Sequence, residues 1–245
     1  NINLSNEFLK TNKIFFHYHL ESFKVNELKQ DKYSNWIYLL FFDHPEINNF
    51  LKNELKYQTI KFKFYLPIEK QVKFEFGKLG YWNRTNLFHI DIFNRIIEKL
   101  NIREVYLYDY PNGGYPYLDN SFLENIQCDK IYYLSGKENR TQNKYKNFMS
   151  NCNIYLCPRR VESCGISNLE QMNRGCFMIG MDLPSMNNYI IHKQTGFLIN
   201  NDFSNLHDLE NINTQDIGAN ARIDCIKNFN KFKREFKIFT NKYFL

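Results

Sequence analysis

The sequence predicts an α/β protein whose main part is a parallel sheet covered by helices on both faces. Three observations carry that expectation. From about residue 70 onward, short apolar runs alternate with amphipathic segments of about 10–12 residues, the pattern of strand–helix–strand units. Hydrophobic residues make up 43% of the 245 residues, enough for a real core in one large domain or two modest ones. No repeat and no low-complexity linker interrupts the chain.

The regular part reads element by element. "VKFEFGKLGY" (72–81) is strand-like and closes on glycines. "HIDIFNRIIEKL" (89–100) has apolar residues at i, i+3 and i+4, which predicts an amphipathic helix. "REVYLYDY" (103–110) reads as a strand before the loop "PNGGYP", and "DKIYYLSG" (129–136) as a strand ending at Gly136. "TQNKYKNFMSNC" (141–152) predicts a helix and "NIYLCP" (153–158) a strand. "ISNLEQMNRG" (166–175) predicts a short helix stopped by Gly175. "CFMIGM" (176–181) and "GFLIN" (196–200) are strands, and residues 214–244 are mostly helix with a basic end.

The first third is less regular. "KIFFHYHL" (13–20) and "NWIYLLFF" (35–42) look like strands. "DHPEINNFLKNEL" (43–55) carries an Asp-then-Pro helix start. "TIKFKFYLP" (59–67) alternates apolar and basic residues as a half-exposed strand that Pro67 ends.

Composition narrows the function classes. The net charge of +6 comes from scattered lysines; such a surplus is compatible with a solvated surface and with anionic partners. The aromatics lie mostly in apolar strand patterns, so nucleic acid is not an expected partner. Six cysteines occur without a CxxC pair, which argues against a zinc site. Cys152, Cys157 and Cys176 sit in or beside strand-like runs and read as buried thiols of a reducing compartment. No apolar run approaches the roughly 20 residues that span a bilayer, and no signal peptide is visible. The chain begins at Asn1, as a trimmed chain or a piece of a longer polypeptide would.

In doubly wound sheets ligands sit at the carboxyl ends of the strands. "CPRRVESCG" (157–165) is such an end, leaving one predicted strand for a helix. Backbone N–H groups at Gly165, Ile166 and Ser167 point outward there with the positive end of the helix dipole, an anion pocket suited to a diphosphate. Glu162 precedes the pocket and Glu170 follows it, eight positions on. Carboxylates on either side suit hydroxyl recognition on a ribose or hexose. Taken alone, such a pair is more often surface charge than a site.

The surrounding text makes the pattern more specific. "NIYLCPRRVESCGISNLEQMNRGCFMIGMDLPSMNNYIIHKQTGFLIN" resembles the donor-binding half of a retaining, family-4-like glycosyltransferase of the GT-B fold. The likeness lies in the Glu-x7-Glu motif (Glu162, Glu170), the strand and Pro158 before it, the run Gly175–Gly180 after it, and Thr195, Gly196, Phe197 and Leu198 further on. It covers roughly residues 70–235. It implies a Rossmann-like donor domain over residues 69–215, a reduced acceptor-side α/β region over 1–68, and a C-terminal helix over 216–245 that packs back toward the N-terminal part.

The resemblance also implies roles. Glu162 touches the transferred sugar, and Glu170 binds the ribose of the nucleotide. The amides of Gly165, Ile166 and Ser167 hold the distal phosphate. Gly136 and Lys137 meet the base, mainly through the backbone. Arg84 is a phosphate cation beside Glu162 in the catalytic set. Where the family places a Lys five positions after its Arg, this chain has His89, a lesser candidate; Lys78 and Arg140 are further cations. His17, His19 and Glu21 of "HYHLES" lie where they could face the cleft, although alternate residues share one face in any strand.

The implied activity is transfer of a sugar from a UDP- or GDP-linked donor to a glycan, protein or lipid-linked acceptor. It proceeds with retention, with no metal and no prosthetic group, in the cytoplasm, with room for peripheral contact on the inner membrane face. No Asp-x-Asp stands in a suitable loop, in agreement with a metal-free site. The alternative is a catalytically inactive nucleotide-binding or scaffold module that partners another glycosyltransferase chain.

Overall fold

The alternating runs become a six-stranded parallel sheet in a computed structural model of the chain. The structure describes residues 15–17, 37–40, 53, 58–61, 63, 65–75, 77–84, 88–111, 116–137, 141–158, 165–184 and 186–244. Strands β1 (Phe15–His17), β2 (Ile37–Leu40) and β3 (Gln58–Lys61) form a small parallel sheet in the order β1-β2-β3. The larger sheet contains β4 (Lys78–Asn83), β5 (Glu104–Asp109), β6 (Lys130–Ser135), β7 (Ile154–Cys157), β8 (Phe177–Met181) and β9 (Phe197–Ile199). Their order is β6-β5-β4-β7-β8-β9.

Alternation along these strands sends side chains to two cores. Leu79, Tyr81, Val105, Leu107, Ile154, Leu156, Phe177 and Ile179 enter one. Tyr106, Tyr108, Tyr155, Cys157, Met178 and Leu198 enter the other. A sheet buried on both faces is what parallel strands require, since their crossovers lay helices on each side. Helix α1 (Ile90–Lys99) covers the first face with Phe93, Ile96 and Ile97, all buried. Each such burial contributes on the order of 2 kcal/mol. The second face is covered by α3 (Gln142–Met149), α4 (Ile166–Arg174) and α5 (Thr214–Phe244), which supply Tyr145, Leu169, Met172 and Ala221. The short α2 (Asn120–Glu124) and a 3-10 turn (Ser204–Leu209), which periodicity does not reveal, complete the described elements.

Helix α4 is unusual. Eight of its nine residues are buried although most are polar. Buried polar groups ordinarily find partners, and those of Asn173 and Arg174 do. Asn173 donates to the carbonyls of Leu66 (3.3 Å) and Pro67 (2.6 Å) and accepts from the amide of Glu69 (3.2 Å). Arg174 donates to the carbonyls of Met149 (3.3 Å) and Ser150 (2.9 Å) and to Gln171 Oε1 (2.8 Å). The Val72 amide donates to the Arg174 carbonyl at 2.9 Å.

Those bonds explain a correction. Residues 72–75 are not strand as their composition suggests; the segment 65–75 is a strap along α4, and β4 starts only at Lys78. Gly77, at φ +80°, makes the turn between them. The helix expected at 43–55 and most of the "PNGGYP" loop lie outside the described residues. Cys152, Cys157, Cys176 and Cys225 are buried. Burial pushes Cys176 and Cys225 up to about 12.

Candidate functional site

Strand order itself locates the site. The chain adds β5 and β6 on one side of β4, then β7, β8 and β9 on the other. The switch therefore falls between β4 and β7, where the two departing loops diverge and leave a crevice. The register aligns Asn83 with Asp109 and Asp109 with Ser135, and Tyr81 with Leu156. Asn83, Asp109, Ser135 and Pro158 thus share the carboxyl edge of the sheet. Arg84 follows β4 on one side of the switch, and Gly165 opens α4 after β7 on the other.

Gly165 caps α4 at φ +54°, ψ +50°, a left-handed conformation that suits glycine. It offers no side-chain cap. The Leu169 amide donates to the Gly165 carbonyl at 2.9 Å. The earlier amides of Ile166 and Ser167 have no carbonyl within the helix to reach. They stand at the positive end of the helix dipole, ready for an external acceptor.

Arg84 lies over the Trp82 ring, its guanidinium carbon 4.4 Å from the centroid. Stacking on an aromatic face fixes the plane of a guanidinium. The end of β4 just before it is braced by Asp109, which is fully buried. Asp109 accepts from Asn83 Nδ2 (2.8 Å), the Leu118 amide (3.0 Å) and the Tyr133 hydroxyl (2.8 Å). Burial and that carboxylate push the Tyr133 phenol up to about 12. Sequence reasoning missed this brace; its one signal was an acid ending an apolar strand in "LYDY".

Glu170 sits one turn into α4 and is 7% exposed. It faces Lys146 of α3, whose Nζ lies 3.0 Å from Glu170 Oε1 and 3.3 Å from Glu69 Oε1. Burial holds the Glu170 carboxyl above its ordinary value, against the opposing pull of Lys146. Glu170 is therefore no solvated helix charge.

Gly136 is buried where a Cβ would collide with the Tyr110 side chain. Its amide donates to the Asp109 carbonyl (2.9 Å), and the Lys137 amide to Ser135 Oγ (3.3 Å). Both amides are engaged, so a base meeting this turn finds carbonyls. The Lys137 ammonium lies 4.5 Å from the Tyr117 ring centroid.

His89 is exposed and bonds Asp91 at 3.1 Å at the start of α1. Lys78 begins β4, at the opposite edge from the crevice, and pairs with Glu75. Glu162, Arg140, His19 and Glu21 lie outside the described residues, as does the His17 side chain. A cavity of about 380 Å³ lined by Lys99, Arg103, Leu209 and Thr214 lies at the amino ends of the strands, away from the crevice. Among the described residues no cluster of His, Cys, Asp or Glu is placed to hold a metal. No described helix is long and apolar enough to cross a membrane.

The same architecture is found in solved structures. TarM of S. aureus superposes with a TM-score of 0.66 at 13% identity, over 94% of this chain and 50% of that one. The pneumococcal O-GlcNAc transferase GtfA, in complex with UDP and GlcNAc, superposes at 0.66 with 14% identity, over 96% and 54%. HepE from Anabaena, in complex with UDP and glucose, superposes at 0.65 with 11% identity, over 96% and 73%. The chain thus spans about half the length of TarM and GtfA. No curated protein sequence matches it. These likenesses establish the GT-B architecture, and within it residues 133–211, from β6 through β9, match the family model of the glycosyl transferases group 1.

Proposed function

We propose that this chain binds a nucleotide-diphosphate sugar in the crevice between β4 and β7 and transfers the sugar to a glycan, protein or lipid-linked acceptor. One observation carries the reading. The topological switch places Arg84 on one wall and the uncapped start of α4 on the other, with Glu170 one turn below. That arrangement has a cation and the first amides of α4 for a diphosphate, and a carboxylate for a diol.

In this reading the amides of Gly165, Ile166 and Ser167 hold the distal phosphate. Arg84 shares the charge that develops on the leaving diphosphate, the task a divalent metal performs elsewhere. Glu170 accepts the ribose hydroxyls, and the turn at Gly136 and Lys137 faces the base. Glu162 contacts the transferred sugar, whose anomeric configuration is retained. UDP stands first among the donors, because GtfA and HepE are each in complex with it; GDP is the other candidate. The region 1–68 serves the acceptor side, 69–215 the donor, and 216–245 packs back toward the N-terminal part. The location is cytoplasmic.

Calorimetry with UDP and GDP, followed by transfer and hydrolysis assays with a panel of donors, tests this directly. Binding of one nucleotide and turnover that persists in EDTA are expected. Glu162→Ala and Glu170→Ala should each lower kcat/KM at least tenfold. Binding without any turnover would favour the inactive scaffold module instead. Absence of both sinks the proposal.

A further inference from the structure

Lys146 bridges two acids from different parts of the chain. Its Nζ lies 3.0 Å from Glu170 Oε1 on α4 and 3.3 Å from Glu69 Oε1 on the strap. The Glu170 side chain is 9% exposed, that of Lys146 38%. The remaining oxygen of Glu170, Oε2, carries no hydrogen bond among the described residues. Arg174, on the same helix, spends its donors on the Met149 and Ser150 carbonyls and on Gln171. Among the described residues, Lys146 is thus the cation that reaches the Glu170 carboxylate.

The physical need is plain. A buried carboxyl drifts toward its neutral form because burial penalises charge. A neutral acid keeps one proton to donate and is a weaker acceptor for a diol. An ammonium 3.0 Å away opposes that drift and occupies one oxygen, leaving the other for a ligand.

We propose that Lys146 is a positioning residue that holds Glu170 ionised and aimed, so that the second oxygen of Glu170 accepts the ribose hydroxyls of the donor. The inference rests on the donor-binding reading above. Glu69 modulates it, because a second acid beside Lys146 competes for the same ammonium. The groups acting on Glu170 are Lys146 and Tyr145 from α3, Glu69 from the strap and Arg174 from α4 itself.

Two measurements on the intact chain test it. The first follows the Glu170 carboxyl by NMR titration without nucleotide, with Glu170→Gln identifying the signal. Lys146→Met should raise the titration midpoint, Lys146→Arg should restore it, and Glu69→Gln should lower it. An unchanged midpoint in folded Lys146→Met overturns the proposal. If that variant does not fold, an unchanged or raised midpoint in Glu69→Gln does so. The second compares UDP with 2′,3′-dideoxy-UDP by calorimetry. Lys146→Met should weaken UDP at least about tenfold, the worth of one hydrogen bond to a charged group, while the dideoxy analogue is unaffected. Equal loss for both ligands, or no loss, overturns the ribose role. If the unmodified chain binds neither nucleotide, the donor-binding reading fails and takes the ribose role with it. The titration then still decides whether Lys146 governs Glu170.

Discussion

At the scale of single residues, two buried polar groups at the sheet's core behave oppositely. Asp109 accepts three hydrogen bonds and braces the end of β4. Tyr81, on β4 itself, is fully buried, and its hydroxyl has no hydrogen-bond partner among the described residues. An unpaired buried hydroxyl is a cost, since it has given up water for nothing. Tyr81→Phe should therefore stabilise the chain by about 1 kcal/mol. Urea unfolding of both forms measures it, and a clear loss of stability would mean that the hydroxyl has a partner. Asp109 was invisible as a brace beforehand, because its partners come from β4, β6 and the segment before α2. Glu170 was legible as a candidate from its spacing to Glu162, but its partner Lys146 was not. Nothing local ties residue 146 to residue 170.

At the scale of elements, α4 concentrates what is particular here. Its glycine ends, its length and the strand on either side were readable from "CGISNLEQMNRGCFMIG". Its burial was not, since Asn, Glu, Gln and Arg ordinarily signal an exposed face. The strap 65–75 resolves the difference by turning those polar side chains into tethers. Asn173 alone makes three of the bonds between strap and helix. Asn173→Ala would strand two carbonyls and an amide, at a cost of about 2–3 kcal/mol. Hydrogen exchange should show the amides of the strap losing protection, including that of Val72, which bonds the Arg174 carbonyl. Full protection in the variant would show that the strap is held by something else.

At the scale of the whole molecule, the site is tied to stability through Glu170. Burial holds its folded-state pKa above the ordinary value, with Lys146 only partly offsetting this. A carboxyl held high favours its neutral form in the folded chain. Its contribution is therefore full below the ordinary carboxylate range and is lost as pH rises through the raised pKa. Glu170→Gln, which cannot ionise, escapes that loss. Its stability relative to the unmodified chain should climb from pH 4 to pH 8, as followed by denaturant titration. A difference independent of pH would mean that Glu170 is not held above its ordinary value. A donor site that costs stability in the empty state agrees with the usual trade between function and stability.

The sequence by itself determined the parallel sheet, the main elements from residue 78 onward and the α4 start as an anion-ready helix end. Each of these depends on periodicity, glycine placement or strand composition within about a dozen residues. Only the tertiary structure decided that the switch lies between β4 and β7, that Arg84 stacks on Trp82, and that Lys78 begins β4 at the opposite edge from the crevice. It alone buried α4 under the strap and paired Glu170 with Lys146. The physical reason is the same throughout: strand order and buried ion pairs join residues far apart in the chain, and no local pattern records which partners will meet.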